Sequence, residues 1–208
     1  MSKPALTVHV VDDDEAFRDS LLWLLDSHGY PARGHDSAEA LLETISPAES
    51  ACLVADVRMP GLSGLELLDE MRARDVRWPV IFITGHGDLP MAVQALRQGA
   101  FDFHEKPFDQ AALFASVDRA LALASQQQAQ AQSRARVGAR LESLTQRERE
   151  VLELVVQGKM NKLIADALGI SIKTVEVHRG KMMDKMQVRS VAELIHAVMS
   201  AADERALP

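Results

Sequence analysis

The sequence predicts an α/β flavodoxin-like (βα)5 domain joined by a helical linker to a small all-α helix-turn-helix domain. Three observations carry this expectation. Strand segments at 6–11, 31–35, 51–55, 79–83 and 101–103 alternate with helical patterns, the arrangement that builds a parallel doubly wound sheet. Asp12-Asp13-Asp14, Asp56, Thr84 and Lys106-Pro107 each follow one of these runs, so all four sit at strand carboxyl ends. Beyond residue 138 the strand patterns stop and only helical ones continue.

In chain order, the first run is followed by a helix over 15–27, and Gly29 is placed to close it in the left-handed conformation. After the 31–35 strand comes a helix over 38–45 with Ser37 as its N-cap, then the 51–55 strand and a helix over 64–73 capped by Ser63. Pro79 and Pro90 stand at element starts, where a missing N–H is tolerated. A helix over 89–98 and the short 101–103 strand lead to a helix starting near residue 110. Its stripe Leu113, Val117, Leu121 and Ala124 packs on the sheet. The following SQQQAQAQSRARV has almost nothing for a core and reads as a linker over 125–138 that prolongs this helix, with Gly138 as the point where it relaxes. The domains are therefore expected at 1–124 and 139–208.

Composition removes several classes. No apolar run approaches a membrane span and the start lacks a signal-peptide hydrophobic stretch, so a cytoplasmic chain with no membrane partner is expected. Cys52 is the single cysteine, which precludes an intrachain disulfide, and in ACLVAD it reads as a buried apolar residue. The net charge of -7 is unevenly spread. Residues 1–124 carry 10 Lys and Arg against 20 Asp and Glu, and residues 125–208 carry 13 against 10. The acidic part suits a cation and the basic part nucleic acid.

Strand carboxyl ends of an open parallel sheet form the edge where ligands bind, so the polar clusters converge there. Paired carboxylates supply the hard oxygens that Mg²⁺ requires, and a further carboxylate beside the ion can attack a phosphoryl group. Asp56 stands alone after its strand and reads as the nucleophile; Asp12 and Asp13 read as metal holders. The Lys106 ammonium would pair with a phosphate oxygen and the Thr84 hydroxyl would donate to it. Taken singly, an Asp triplet is a common helix N-cap and Lys-Pro a common loop. The weight lies in their joint order at strand ends.

VVDDD, ADVRMPGLSG, VIFITGHGD and FHEKPF resemble the receiver-domain signatures of two-component response regulators over about 5–124. The resemblance implies Mg²⁺ (with Mn²⁺ as a substitute) held by Asp12, Asp13, Asp56 and the Arg58 backbone carbonyl, with Asp12 acting largely through water. It implies a cis Lys106–Pro107 bond, and Thr84 moving toward the phosphate while an aromatic at Phe103 turns inward. Phe103 reads equally as ordinary strand core. In the family, residues at the positions of Arg58 and His86 tune phosphate lifetime. His104 departs from the usual aliphatic residue and reads as structural in preference to a pH sensor.

In the second domain, Thr145 with Glu148 forms a capping-box pattern that starts a helix over 146–156. Helical patterns at 161–168, 172–186 and 191–199 follow, split by Gly158, Gly169 and Val188-Arg189. The middle pair makes a helix-turn-helix whose core is Ile164, Ala165, Leu168, Ile170, Val175 and Met182, with Lys173, Arg179, Lys181 and Lys185 on its second helix. LTxREREVL, NKxIAxxLxIS and TVExHR resemble the LuxR-type DNA-binding domain. With the receiver and linker, they place the chain close to the FixJ branch of the NarL/FixJ response regulators. On that resemblance Glu176, Val177 and Gly180 face the bases, while Lys162, Thr174, His178 and Arg179 approach the backbone, with Lys173 and Lys181 alongside; His178 reads equally as a packed structural residue.

The expected function is a phosphorylation-activated transcription regulator, an activator, whose only enzymatic steps are its own Mg²⁺-dependent phosphorylation and dephosphorylation. A histidine kinase phosphorylates Asp56, and the receiver dimerises through a face at 90–103 that includes Met91, Arg97 and Asp102. Paired readers then bind promoter double-stranded DNA and act on RNA polymerase. Two rivals fit less well. A haloacid-dehalogenase-like phosphohydrolase has its nucleophile in a DxD on the first strand, whereas Asp56 is on the third; a constitutive DNA-binding protein has no use for the intact acidic edge.

Overall fold

The computed structural model describes the backbone of residues 6–85 and 89–202 and the side chains of 6–85 and 93–199. Five parallel strands, β1 (Thr7–Val11), β2 (Ala32–His35), β3 (Ala51–Asp56), β4 (Val80–Thr84) and β5 (Asp102–Glu105), lie in the order β2-β1-β3-β4-β5. The intervening helices are α1 (Glu15–Ser27), α2 (Ala38–Thr44), α3 (Gly64–Ala73) and α4 (Leu89–Arg97), and α5 (Gln110–Glu142) follows β5. Strand alternation divides the core into two layers. Leu53, Ala55 and Phe82 face Leu41, Leu67, Met71 and Ala95, while Val8, Val10, Val54, Ile81 and Ile83 face Leu21, Leu25, Leu113 and Val117. Cys52 is fully buried in the second layer, and burial pushes its thiol upward, out of reach of ionisation.

The chain divides into two units, Met1–Gln128 and Ala129–Pro208. α5 passes through Gly138, so the expected relaxation there does not occur. The flanking Val137 and Leu141 join the apolar core of the second unit, which offsets the roughly 1 kcal/mol that a helical glycine costs. That unit consists of α6 (Gln146–Val156), α7 (Asn161–Leu168), α8 (Ile172–Met186) and α9 (Val191–Ala202) together with the last turns of α5. Its core is Val151, Leu152, Val155, Ile164, Val175, Met182, Met186 and Leu194.

Helix starts follow the sequence closely. Ser37 accepts from Ala40 N, and Thr145 and Ser63 both complete capping boxes, with Glu148 and Glu66 respectively. α7 ends at Gly169 with φ +65°, a left-handed residue that turns the chain into α8, where Ser171 caps by accepting from Thr174 N at 3.0 Å.

Candidate functional site

Register alone brings the first cluster together. Val11 pairs with Ala55, Asp56 with Ile83, and Thr84 with Glu105, so the residues that end β1, β3, β4 and β5 share one edge. Ligand atoms of Asp12, Asp13 and Asp56 all lie within 4.8 Å of one another. Asp12 is 2% exposed, Asp56 half-buried and Asp13 open to solvent. Asp14, the third member of the triplet, caps α1 by accepting from Phe17 N at 3.1 Å. The N-cap and the acid-pair readings of the triplet thus both hold, on different residues.

The cluster is braced from its surroundings. Asp12 Oδ1 accepts from Asp14 N at 2.9 Å, its Oδ2 accepts from the Lys106 ammonium at 2.9 Å, and its backbone carbonyl accepts from the Arg18 guanidinium at 2.8 Å. Asp56 Oδ1 accepts from Val57 N at 2.9 Å. Burial pushes the Asp56 carboxyl above its ordinary range, and the neighbouring Asp12 and Asp13 add to this, while Lys106 and the Val57 N–H pull it back. A carboxylate raised in this way is more basic and so a better nucleophile, provided that cations offset the crowding. α3 starts close beneath: a Cβ at Gly64 would meet Asp56 O at 2.4 Å and the Phe82 ring at 2.8 Å, so only glycine fits.

Thr84 is 1% exposed at the end of β4, and its carbonyl accepts from Lys106 N at 2.7 Å. The Lys106–Pro107 peptide is cis. Phe103 is half-buried and packed against the layer that holds Phe82 and Ala95. Arg58 is exposed; His86 and the side chain of Met91 lie outside the described residues. On the expected dimer face, Arg97 is exposed, but the Asp102 carboxylate is turned to α5. Its Oδ2 accepts from Ser116 Oγ at 2.6 Å and from Arg119 at 2.5 Å. Since the Ser116 proton is used there, His104 Nε2, 2.9 Å from Ser116 Oγ, must be the donor. Burial lowers the His104 pKa, with Asp102 opposing, so its proton sits on a neutral, hydrogen-bonded ring.

The second candidate surface is the outer face of α8. Val175, Met182 and Met186 point inward, while Lys173, Glu176, Gly180 and Lys181 are exposed and Val177 is 49% exposed. Lys162 on α7 is exposed, and Thr174, His178 and Arg179 are half-buried at the flanks. Arg179 donates to Asn161 Oδ1 at 2.7 Å, tying α8 to the start of α7. Lys185, further along the same helix, is half-buried. Its ammonium turns inward to Glu148 Oε2 at 2.6 Å, because a carboxylate 3% exposed needs a cation more than solvent does.

The sequence pattern of the response regulator receiver domain matches residues 8–118, more than half of the chain. The chain belongs to the response regulator family. The pattern of bacterial regulatory proteins of the luxR family matches residues 142–198, so this response regulator pairs a receiver with a LuxR-type DNA-binding domain and is a phosphorylation-dependent transcriptional regulator. It is 50% identical over 197 residues to the transcriptional regulatory protein FixJ of Azorhizobium caulinodans, covering 95% of this chain and 93% of that one. It is 47% identical to the C4-dicarboxylate transport transcriptional regulatory protein DctR of Rhodobacter capsulatus, over 91% of this chain and 98% of that one. The solved structure of response regulator StyR matches with a TM-score of 0.86 at 42% identity, covering 94% of this chain and 98% of StyR. Full-length FixJ from B. japonicum matches at 42% identity with a TM-score of 0.57, covering 97% of this chain and 99% of that one. Receiver and reader together imply a kinase and DNA as partners of this response regulator. No described helix is long and apolar enough to cross a membrane.

Proposed function

We propose that Asp56 is the phosphoacceptor of a two-component transcription activator working in the cytoplasm, with the receiver ending at 124 and the reader beginning at 139. The observation that carries this reading is the gathering of three carboxylates from two strand ends beside the Lys106 ammonium. All-oxygen donors of this kind fit Mg²⁺ or Mn²⁺, held by Asp12, Asp13, Asp56 and the Arg58 carbonyl. Held there by Asp12, Asp13 and Asp56, such a cation would supply charge neutralisation between these carboxylates and an incoming phosphoryl group. The Asp56 oxygen not engaged by Val57 N attacks phosphorus; an O–P bond forms as the P–N bond of a kinase phosphohistidine breaks, and the electron pair leaves on the imidazole nitrogen. Lys106 and Thr84 then bind the new phosphate oxygens, and water later hydrolyses the acyl phosphate, returning the Asp56 carboxylate and inorganic phosphate. Chelation of divalent cations should lower phosphoryl-adduct formation from acetyl phosphate by about 100-fold or more, with Mg²⁺ or Mn²⁺ restoring it, read by intact mass. An adduct that forms equally fast in chelator would sink the metal assignment.

Thr84 and Phe103 transmit the change to the 90–103 face, where the receiver pairs with a second copy through Met91, Arg97 and Asp102. Two readers then engage adjacent half-sites and recruit RNA polymerase. Glu176 accepts from a cytosine amino group and Val177 touches a thymine methyl, while Lys162, Lys173, Thr174, His178, Arg179 and Lys181 hold the backbone. Replacement Glu176→Ala should relax base preference by about 1–3 kcal/mol at one position, measured by selection from randomised DNA. Equal weakening on every sequence would make Glu176 structural.

A further inference from the structure

Lys106 is held from two sides. Besides its bond to Asp12, the ammonium lies 3.6 Å from the centroid of the Phe17 ring. The ring is placed by its backbone at the start of α1 and by an aromatic neighbour. Phe17 N donates to the Asp14 cap at the start of α1, and the ring meets Phe108 edge-on with centroids 6.2 Å apart. Phe108 follows Pro107, so the segment that carries the lysine also supplies the far wall of its aromatic seat. A lysine head on a flexible four-carbon stem visits many positions in water; an aromatic face of fixed orientation attracts it to few. Stabilisation of transferred phosphoryl oxygens needs a cation already in place, because a cation that must first be ordered adds to the barrier.

We infer that Phe17 is a positioning residue for phosphoryl transfer, its ring holding the Lys106 ammonium at the acidic cluster. The inference rests on the reading of Asp56 as phosphoacceptor and Lys106 as its phosphate partner. The ring itself takes no part in bond making: the Asp56 O–P bond forms as the P–O bond of the donor breaks, and acetate leaves when the donor is acetyl phosphate. Phe17 also lines an open cavity of about 750 Å³ with Trp23, Leu24 and Phe108. Shortening its side chain enlarges a space that solvent already reaches and opens no sealed void, so the fold tolerates the test.

The test compares Phe17→Leu, which keeps apolar bulk and removes the π face, with Phe17→Tyr, which keeps the face, in the full-length chain with Mg²⁺ and acetyl phosphate. Initial rates of adduct formation are read by intact mass and Mg²⁺ affinity by calorimetry. Phe17→Leu is expected to be phosphorylated about three- to tenfold more slowly and Phe17→Tyr within about twofold of the parent, with Mg²⁺ affinity the same in all three. A Leu variant as fast as the parent, a Tyr variant as slow as the Leu variant, or a loss of Mg²⁺ affinity with either change overturns the inference. An unaltered chain that forms no adduct, or an adduct that persists in Asp56→Asn, instead overturns the reading beneath it.

Discussion

Replacing Asp56 with Asn is expected to abolish the phosphoryl adduct, lowering its rate of formation by about 1,000-fold or more, and with it any phosphodonor-dependent gain in DNA affinity. The amide is close in size to the carboxylate and its oxygen can still accept from Val57 N, so the end of β3 keeps its local geometry. It is neutral, however, and a poor nucleophile, and it leaves Asp12 and Asp13 as the remaining carboxylates of the cluster. Burial and two neighbouring carboxylates already disfavour charge at Asp56, so the variant should be at least as stable as the parent at neutral pH. Loss of chemistry together with unchanged or raised stability separates a spent nucleophile from a misfolded domain. Intact mass after exposure to acetyl phosphate, footprinting on promoter DNA and thermal unfolding make the three readings. Persistence of a Mg²⁺-dependent adduct in Asp56→Asn would move the nucleophile elsewhere.

The edge cluster was legible because parallel strands put their carboxyl ends together by topology, and topology follows from element order. Asp12, Asp56, Thr84 and Lys106 could therefore be placed side by side from the sequence, even though β4 and β5 each begin and end one or two residues later than the apolar runs suggest. What surrounds the cluster was less legible. The Arg18 bond to the Asp12 carbonyl and the Phe17 seat of Lys106 depend on how α1 is rotated about its axis, and a mixed sequence such as EAFRDS sets that angle only through packing. His9 offers another example. It interrupts an apolar strand, yet it is 2% exposed, because its Nδ1 lies 2.9 Å from His35 Nε2 on β2 and its ring packs against Trp78. Burial, aided by Arg33, lowers the pKa of His9 to about 4, and His35 falls to about 4 chiefly for the same reason, so two neutral rings share one hydrogen bond. No periodicity announces a cross-strand pair of this kind. Asp102 shows the same limit: Ser116 and Arg119 on α5 engage its carboxylate, a pairing between β5 and α5 that no spacing in the sequence marks.

The second large effect is expected at Lys185, where charge pairing overrides the helix pattern. Glu148 completes the α6 capping box through Thr145 N at 2.9 Å and receives the Lys185 ammonium at 2.6 Å, while Lys185 also donates to Ser143 O. The bonds from Lys185 and Thr145 lower the Glu148 pKa against the opposing effect of burial. Replacement Lys185→Met keeps the apolar stem and strands a buried carboxylate, so the second unit should lose roughly 2–4 kcal/mol, somewhat less than a fully enclosed pair because Lys185 is partly exposed. Trp23 and Trp78 both lie in the receiver and cannot report this loss by fluorescence. Hydrogen exchange of the peptides covering 146–156 and 172–186 can, and there the variant should exchange faster while the strand peptides of the receiver stay unchanged. The pH dependence has a fixed sign. A carboxylate whose folded pKa is depressed contributes stability above its unfolded value, near 4.3, and loses it as pH falls through the folded one. The gap between parent and Lys185→Met should therefore be widest near neutrality and close in acid. A variant that protects 146–156 as well as the parent would show that the Lys185–Glu148 pair contributes little to the second unit.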